Sequence, residues 1–148
     1  MFLRFKSVHN VAYVTTENLI AIRFVLTNRG KGRQKCSIEF EFYAANTELS
    51  IRDFDFDIIS DKELESIYEY LRANLTGFFE LDDVSDDDQI SKDYPNMDYY
   101  FIKLDKIISI HKWEDSDSDI ILINNRCISV DNDTAVDALI RKLTVQNI

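Results

Sequence analysis

The chain reads as an α+β protein made of two halves, each an antiparallel sheet followed by a helix, with an acidic linker between them. Three observations predict this class. Apolar residues alternate with period two in several stretches, as at Ile20, Ile22, Phe24 and Leu26 and again at Ile38, Phe40 and Phe42, the mark of strands with one buried face. Two later segments switch to helical spacing, Leu64, Ile67, Tyr68, Leu71 and Leu75 in one and Val136, Leu139, Ile140 and Leu143 in the other. Between the halves the apolar pattern disappears and aspartates accumulate. The expected division is a hairpin-rich half over 1–77, an acidic linker over 78–98 and a second half over 99–148, packed as one compact domain.

Taken in order, the first two alternating stretches flank 28–35, which holds two of the three glycines and four cations, and predict a hairpin with a basic tip. A third strand starts near Glu48. Its apolar residues fall on odd positions at Leu49 and Ile51 but on even ones at Phe54, Phe56 and Ile58. That change of phase predicts a bulge near Arg52 and Asp53, because only an extra residue restores the buried face. Ser60, Asp61, Lys62 and Glu63 match a capping box and open a helix over 61–75, with Gly77 placed to end it in a left-handed cap. Strands are expected over 99–104, 106–113, 119–124 and 126–130, the last two joined by a tight turn at Asn124 and Asn125. Asp131 or Asn132 then caps the final helix. Both halves end in a strand that runs into a capped helix, a pattern that a duplicated unit would produce.

With 148 residues, 45% of them apolar, the chain can bury a core. Three Gly and one Pro exclude collagen-like and low-complexity classes. The formal charge of -10 is unevenly spread, at +4 over 1–52, -11 over 53–93 and -3 over 94–148. This excludes broad nucleic-acid or anionic-membrane binding, which needs a net basic face, and confines direct nucleic-acid contact to Arg29, Lys31, Arg33 and Lys35. The opening residues lack a signal-peptide core, and no window approaches the roughly 20 apolar residues of a membrane span. A cytoplasmic location is expected, with Cys36 and Cys127 as reduced thiols.

The patterns that carry chemistry are weak. Asp115, Asp117 and Asp119 reproduce the opening spacing of a calcium-binding loop, but Ile120 and Arg126 stand where glycine and glutamate are required. His9, Cys36, His111 and Cys127 form no local pair at zinc spacing. No nucleophile elbow, phosphate loop or dinucleotide fingerprint is present. An enzyme is not expected, and neither a metal nor another cofactor is called for.

The acidic residues offer more. Asp53, Asp55 and Asp57 would project from one face of a strand at roughly 6.5 Å intervals, and with Glu63, Glu65 and Glu69 they would form a ridge that imitates a phosphate backbone. In-line carboxylates destabilise a sheet unless a cation meets them, either a partner's or Arg29, Arg33, Lys35 or Arg52 within the fold. Asp82, Asp83, Asp86, Asp87 and Asp88 extend the acidity, framed by Tyr94 and Tyr99 as aromatic anchors. Tyr43, Phe78, Phe79, Tyr100 and Trp113 are also expected to escape the core.

The hairpin-then-helix order of the last 45 or so residues resembles the pleckstrin-homology-like arrangement of small bacterial modules, which implies a small-ligand or peptide-binding module. In size and charge the chain resembles phage anti-defence inhibitors and toxin-immunity proteins, a likeness of composition. The leading expectation is a non-enzymatic inhibitor that occludes a basic, nucleic-acid-binding surface of another protein. A homodimer joining the basic tip to the acidic ridge would use the same charges.

Overall fold

The computed structural model describes residues 1–28, 33–43, 49–83 and 96–144. Their elements are β1 (Phe2–Lys6), β2 (Val11–Thr15), β3 (Leu19–Asn28), β4 (Arg33–Tyr43), β5 (Leu49–Ser60), α1 (Asp61–Asn74), β6 (Phe78–Asp83), β7 (Asn96–Lys103), β8 (Ile107–His111), β9 (Ser118–Leu122), β10 (Cys127–Val130) and α2 (Asp133–Leu143). The strands form three antiparallel sheets, of order β5-β4-β3-β7-β6, β10-β9-β8 and β1-β2. The architecture is α+β.

The five-stranded sheet is the middle layer. On one face, Ile22, Phe24, Leu26, Ile38, Phe40, Phe54 and Phe101 bury against Leu3 and Phe5 of the β1-β2 hairpin and Leu64, Tyr68 and Leu71 of α1. On the other, Ile20, Ala21, Leu81, Tyr100 and Ile102 bury against Ile120, Leu122, Ile128 and Val130 of the small sheet and Val136 and Leu139 of α2. Each fully buried aliphatic or phenyl side chain contributes about 1.5–3 kcal/mol. Rings lock the first core: Tyr68 stacks on Tyr99 at 4.5 Å, and Phe24 meets Tyr68 edge-on at 5.0 Å.

Two bulges set the phase of these faces. In β3 the pairing passes from Leu19 opposite Phe42 to Ala21 opposite Glu41, so Ile20 is the extra residue. Leu19 thereby joins the first core while Ile20 and Ala21 enter the second. In β5 the bulge is not near Arg52 and Asp53, where pairing with β4 is continuous from Leu49 to Phe56. It lies between Phe56, opposite Cys36, and Ile59, opposite Gln34. The extra residue restores the buried face as expected, but several positions later, because it is Ile59 that must share the core with Phe54 and Phe56.

The helix starts follow their caps. The Ser60 hydroxyl accepts from the Glu63 N–H at 3.1 Å, and the Asn132 side chain accepts from the Ala135 N–H at 3.1 Å. α1 ends at Leu75 in extended conformation, so Gly77 (φ 76°) shapes the turn into β6 and is not the helix cap. Asn124 and Asn125 are both left-handed (φ 64° and 60°), as the turn between β9 and β10 requires.

The expected acidic linker is strand at both ends, β6 and the start of β7, while 84–95 lies outside the described residues. Phe78 packs toward the first core and Phe79 and Leu81 toward the second, and burial on both faces hides the alternation. β7 lies between β3 and β6, so the central sheet draws strands from both expected halves. The β1-β2 hairpin was not foreseen: Leu3 and Phe5 are buried while Phe2, Val11 and Tyr13 are exposed, leaving apolar residues on both its faces. Tyr100, expected outside, is 5% exposed.

Candidate binding surface

Asp53 and Asp55 are exposed on β5, an outermost strand of the central sheet. They lie opposite Glu39 and Ser37 of β4, and directly opposed residues of an antiparallel pair share a face. Their carboxylates therefore project from the face away from α1. The ridge expected to run on through Glu63, Glu65 and Glu69 is interrupted, because α1 packs on the Phe54 and Phe56 face.

Across this face, which the small sheet and α2 cover on its β3-β7 side, runs one row of side chains, Tyr100, Arg23, Glu39 and Asp53, on β7, β3, β4 and β5. Arg23 lies over the Tyr100 ring at 5.9 Å and bonds Glu39 at 3.4 Å. Glu39 thus has its cation on the far side and a like charge, Asp53, next to it. Among the described residues no ion pair reaches Asp53 or Asp55.

One position back, Glu41 is fully buried. Arg126, from the turn between β9 and β10, donates from Nε to its Oε1 at 2.8 Å and from Nη1 to the Cys127 carbonyl at 2.6 Å. Glu41 Oε2 has no hydrogen-bond partner among the described residues. Burial pushes the Glu41 carboxyl above its ordinary range despite the arginine. This pair fastens the small sheet to the central one, and the sequence gives no signal that Glu41 would be the buried member of its strand.

The other acidic and aromatic candidates separate. Asp82 is exposed opposite Tyr99, and its carbonyl accepts from Asn132 Nδ2 at 2.8 Å. Tyr99 is half-buried, and its hydroxyl donates to Glu80 Oε2 at 2.7 Å, while Arg72 of α1 bonds both Glu80 and Glu65. Tyr99 therefore holds β7 against α1. Asp57 lies in β5 and Asp83 in β6. Asp86, Asp87, Asp88 and Tyr94 lie outside the described residues.

A cleft of about 900 Å³ opens between the hairpin tip, α1 and the outer edge of β5. Phe5, Phe54, Phe56, Ile59 and Ile67 give it apolar walls, and Arg4, Lys6, His9, Glu63 and Ser66 a polar rim. Asp53 and Asp55 border it along the strand edge. Sequence reading missed it because its walls come from three segments far apart in the chain.

The chemistry elsewhere is limited. Cys36 is buried, and burial followed by the nearby Asp55 charge pushes its thiol up to about 12, too high to form a nucleophile near neutrality. Asp119 accepts from Trp113 Nε1 and Ser129 Oγ, both at 3.0 Å, and these bonds hold its carboxyl below the usual range. His111 stacks on Trp113 at 5.9 Å. Ser129 is thus bonded to the carboxylate, not to an imidazole that could take its proton. Among the described residues no three His, Cys, Asp or Glu side chains gather to hold a metal ion, and no helix is long and apolar enough to cross a membrane. Comparisons with protein-family models, with curated proteins and with solved structures return no match.

Proposed function

We propose that the protein is a non-enzymatic inhibitor that binds a basic, nucleic-acid-binding surface of another protein and occludes it, in the manner of anti-defence or immunity proteins. The observation that carries this reading is the exposed pair Asp53 and Asp55, which no ion pair reaches among the described residues and which shares its sheet face with Glu39. Opposed like charges cost stability within a sheet, and a partner's lysines or arginines would recover that cost. The rest of the block of -11 over 53–93 would steer the encounter, with Asp57, Asp82, Asp83, Asp86, Asp87, Asp88, Tyr94 and Tyr99 as its further contact candidates. On this reading the protein works in the cytoplasm without cofactor, metal or membrane, and the two strand-then-helix ends stem from a duplicated unit. Affinity capture from native extract tests it: the partner should elute between low and high salt and should not bind a D53K/D55K double variant. Capture indifferent to both salt and charge reversal would reject it.

A second reading is favoured by the cleft. Its volume suits a drug-sized ligand, as a small-ligand or peptide-binding module would require. Saturable binding of a neutral small molecule that shifts the fluorescence or NMR signals of Tyr70 and Phe56 would favour it over the electrostatic one.

A further inference from the structure

We infer that the partner is engaged as an added β-strand on the outer edge of β5, and that the segment it supplies alternates basic and apolar residues. The inference rests on the proposal that the β5 carboxylates meet a basic partner, and it adds the form that this partner takes. Among the described residues β5 is paired on one side only, by β4, and no backbone hydrogen bond from an element other than β4 reaches Asp53 to Phe56. An unpaired edge of this kind is a template for an extended chain.

The two faces of β5 then dictate what that chain must carry. Side chains alternate in face at about 3.3 Å per residue, so every second residue of an added strand lies beside Asp53 and Asp55, and the residues between lie beside Phe54 and Phe56. The first set is matched by Lys or Arg. The second set enters the cleft, whose walls are Phe5, Phe54, Phe56, Ile59 and Ile67, and is matched by apolar side chains. On the cleft rim Arg4 and Lys6 outnumber the one carboxylate of α1, Glu63, and disfavour a cation on that side, so apolar residues belong there and basic ones on the other face. The same charges select against a second copy of this chain as occupant. Pairing β5 with β5 would set aspartate against aspartate across the new strand pair.

The test uses the intact protein and two capped peptides of one composition, acetyl-Lys-Val-Lys-Val-Lys-Val-amide and acetyl-Lys-Lys-Lys-Val-Val-Val-amide, by calorimetry and by hydrogen exchange. The alternating peptide should bind at least ~10-fold more tightly, protect the amides of Asp53 to Phe56 from exchange, and lose affinity on D53K/D55K. N-methylation of every second amide of that peptide should abolish the protection without changing its charge. Equal, salt-sensitive binding of both peptides would overturn strand addition while leaving the electrostatic reading intact. No binding of either peptide at low salt would overturn both.

Discussion

Arg126 and Glu41 form a contact whose worth depends on protonation. Glu41 is fully buried, with one oxygen unmatched among the described residues, and burial raises its carboxyl above the ordinary 4.5. Between the two values the folded chain keeps a proton that the unfolded chain has released, so this group's contribution to stability falls as pH rises from 4.5 through the raised folded value. Urea melts at several pH values should show that slope in the native protein and its loss in Glu41→Gln. Arg126→Ala should cost about 3 kcal/mol at pH values above the raised folded value, where it strands a buried carboxylate, and less near pH 4. The cysteines give an independent check, since Cys36 is buried with its thiol up to about 12 while Cys127 is exposed. Iodoacetamide at pH 8 should label Cys127 in the folded protein and Cys36 only after unfolding. Asp53 has the opposite economy to Glu41. Its replacement by Lys should stabilise the fold by up to ~1 kcal/mol, by removing the opposition to Glu39, while weakening partner binding. Thermal melts alongside capture would separate the two effects.

The helix starts were legible, because their signals are local, whereas the Gly77 cap expected for α1 was not borne out. Ser60 and Asn132 occupy the cap positions that their side chains suggested, and Ser60→Ala should cost about 1 kcal/mol, measurable by chemical denaturation. The turn at Asn124 and Asn125 was legible for the same reason: few residues other than Gly accept positive φ as readily as Asn. Strands were legible where one face is buried, as in β4, with Cys36, Ile38 and Phe40 inside. They were hidden where both faces carry apolar residues, as in β1, β2 and β6. The β5 bulge was foreseen in kind and misplaced in position, since its site depends on which residue of β5 packs beneath α1, a tertiary matter. Half of the proposed contact, Asp53 and Asp55, could be read directly from the alternation of aspartates. The cleft beside them could not, because nothing local to Arg4 or Ile67 shows that they meet β5.

At the scale of the molecule, the central sheet decides how divisible the chain is. A fragment ending at residue 77 would lack β7 and β6, leaving Phe24 without Phe101 and Tyr68 without Tyr99. It should fail to show cooperative unfolding by circular dichroism, whereas two self-sufficient halves would each melt cooperatively. The strand order β5-β4-β3-β7-β6 also bears on biosynthesis. As the chain leaves the ribosome, β3, β4 and β5 can pair at once, but the other side of β3 must wait until β7 has been made. During that interval the nascent chain offers a bare strand flanked by Ile22, Phe24 and Leu26, the kind of surface on which newly made chains associate. The acidic residues between β6 and β7 are translated late in this wait, so a chain about to receive β7 already carries their negative charge, which would hold it apart from neighbouring nascent chains.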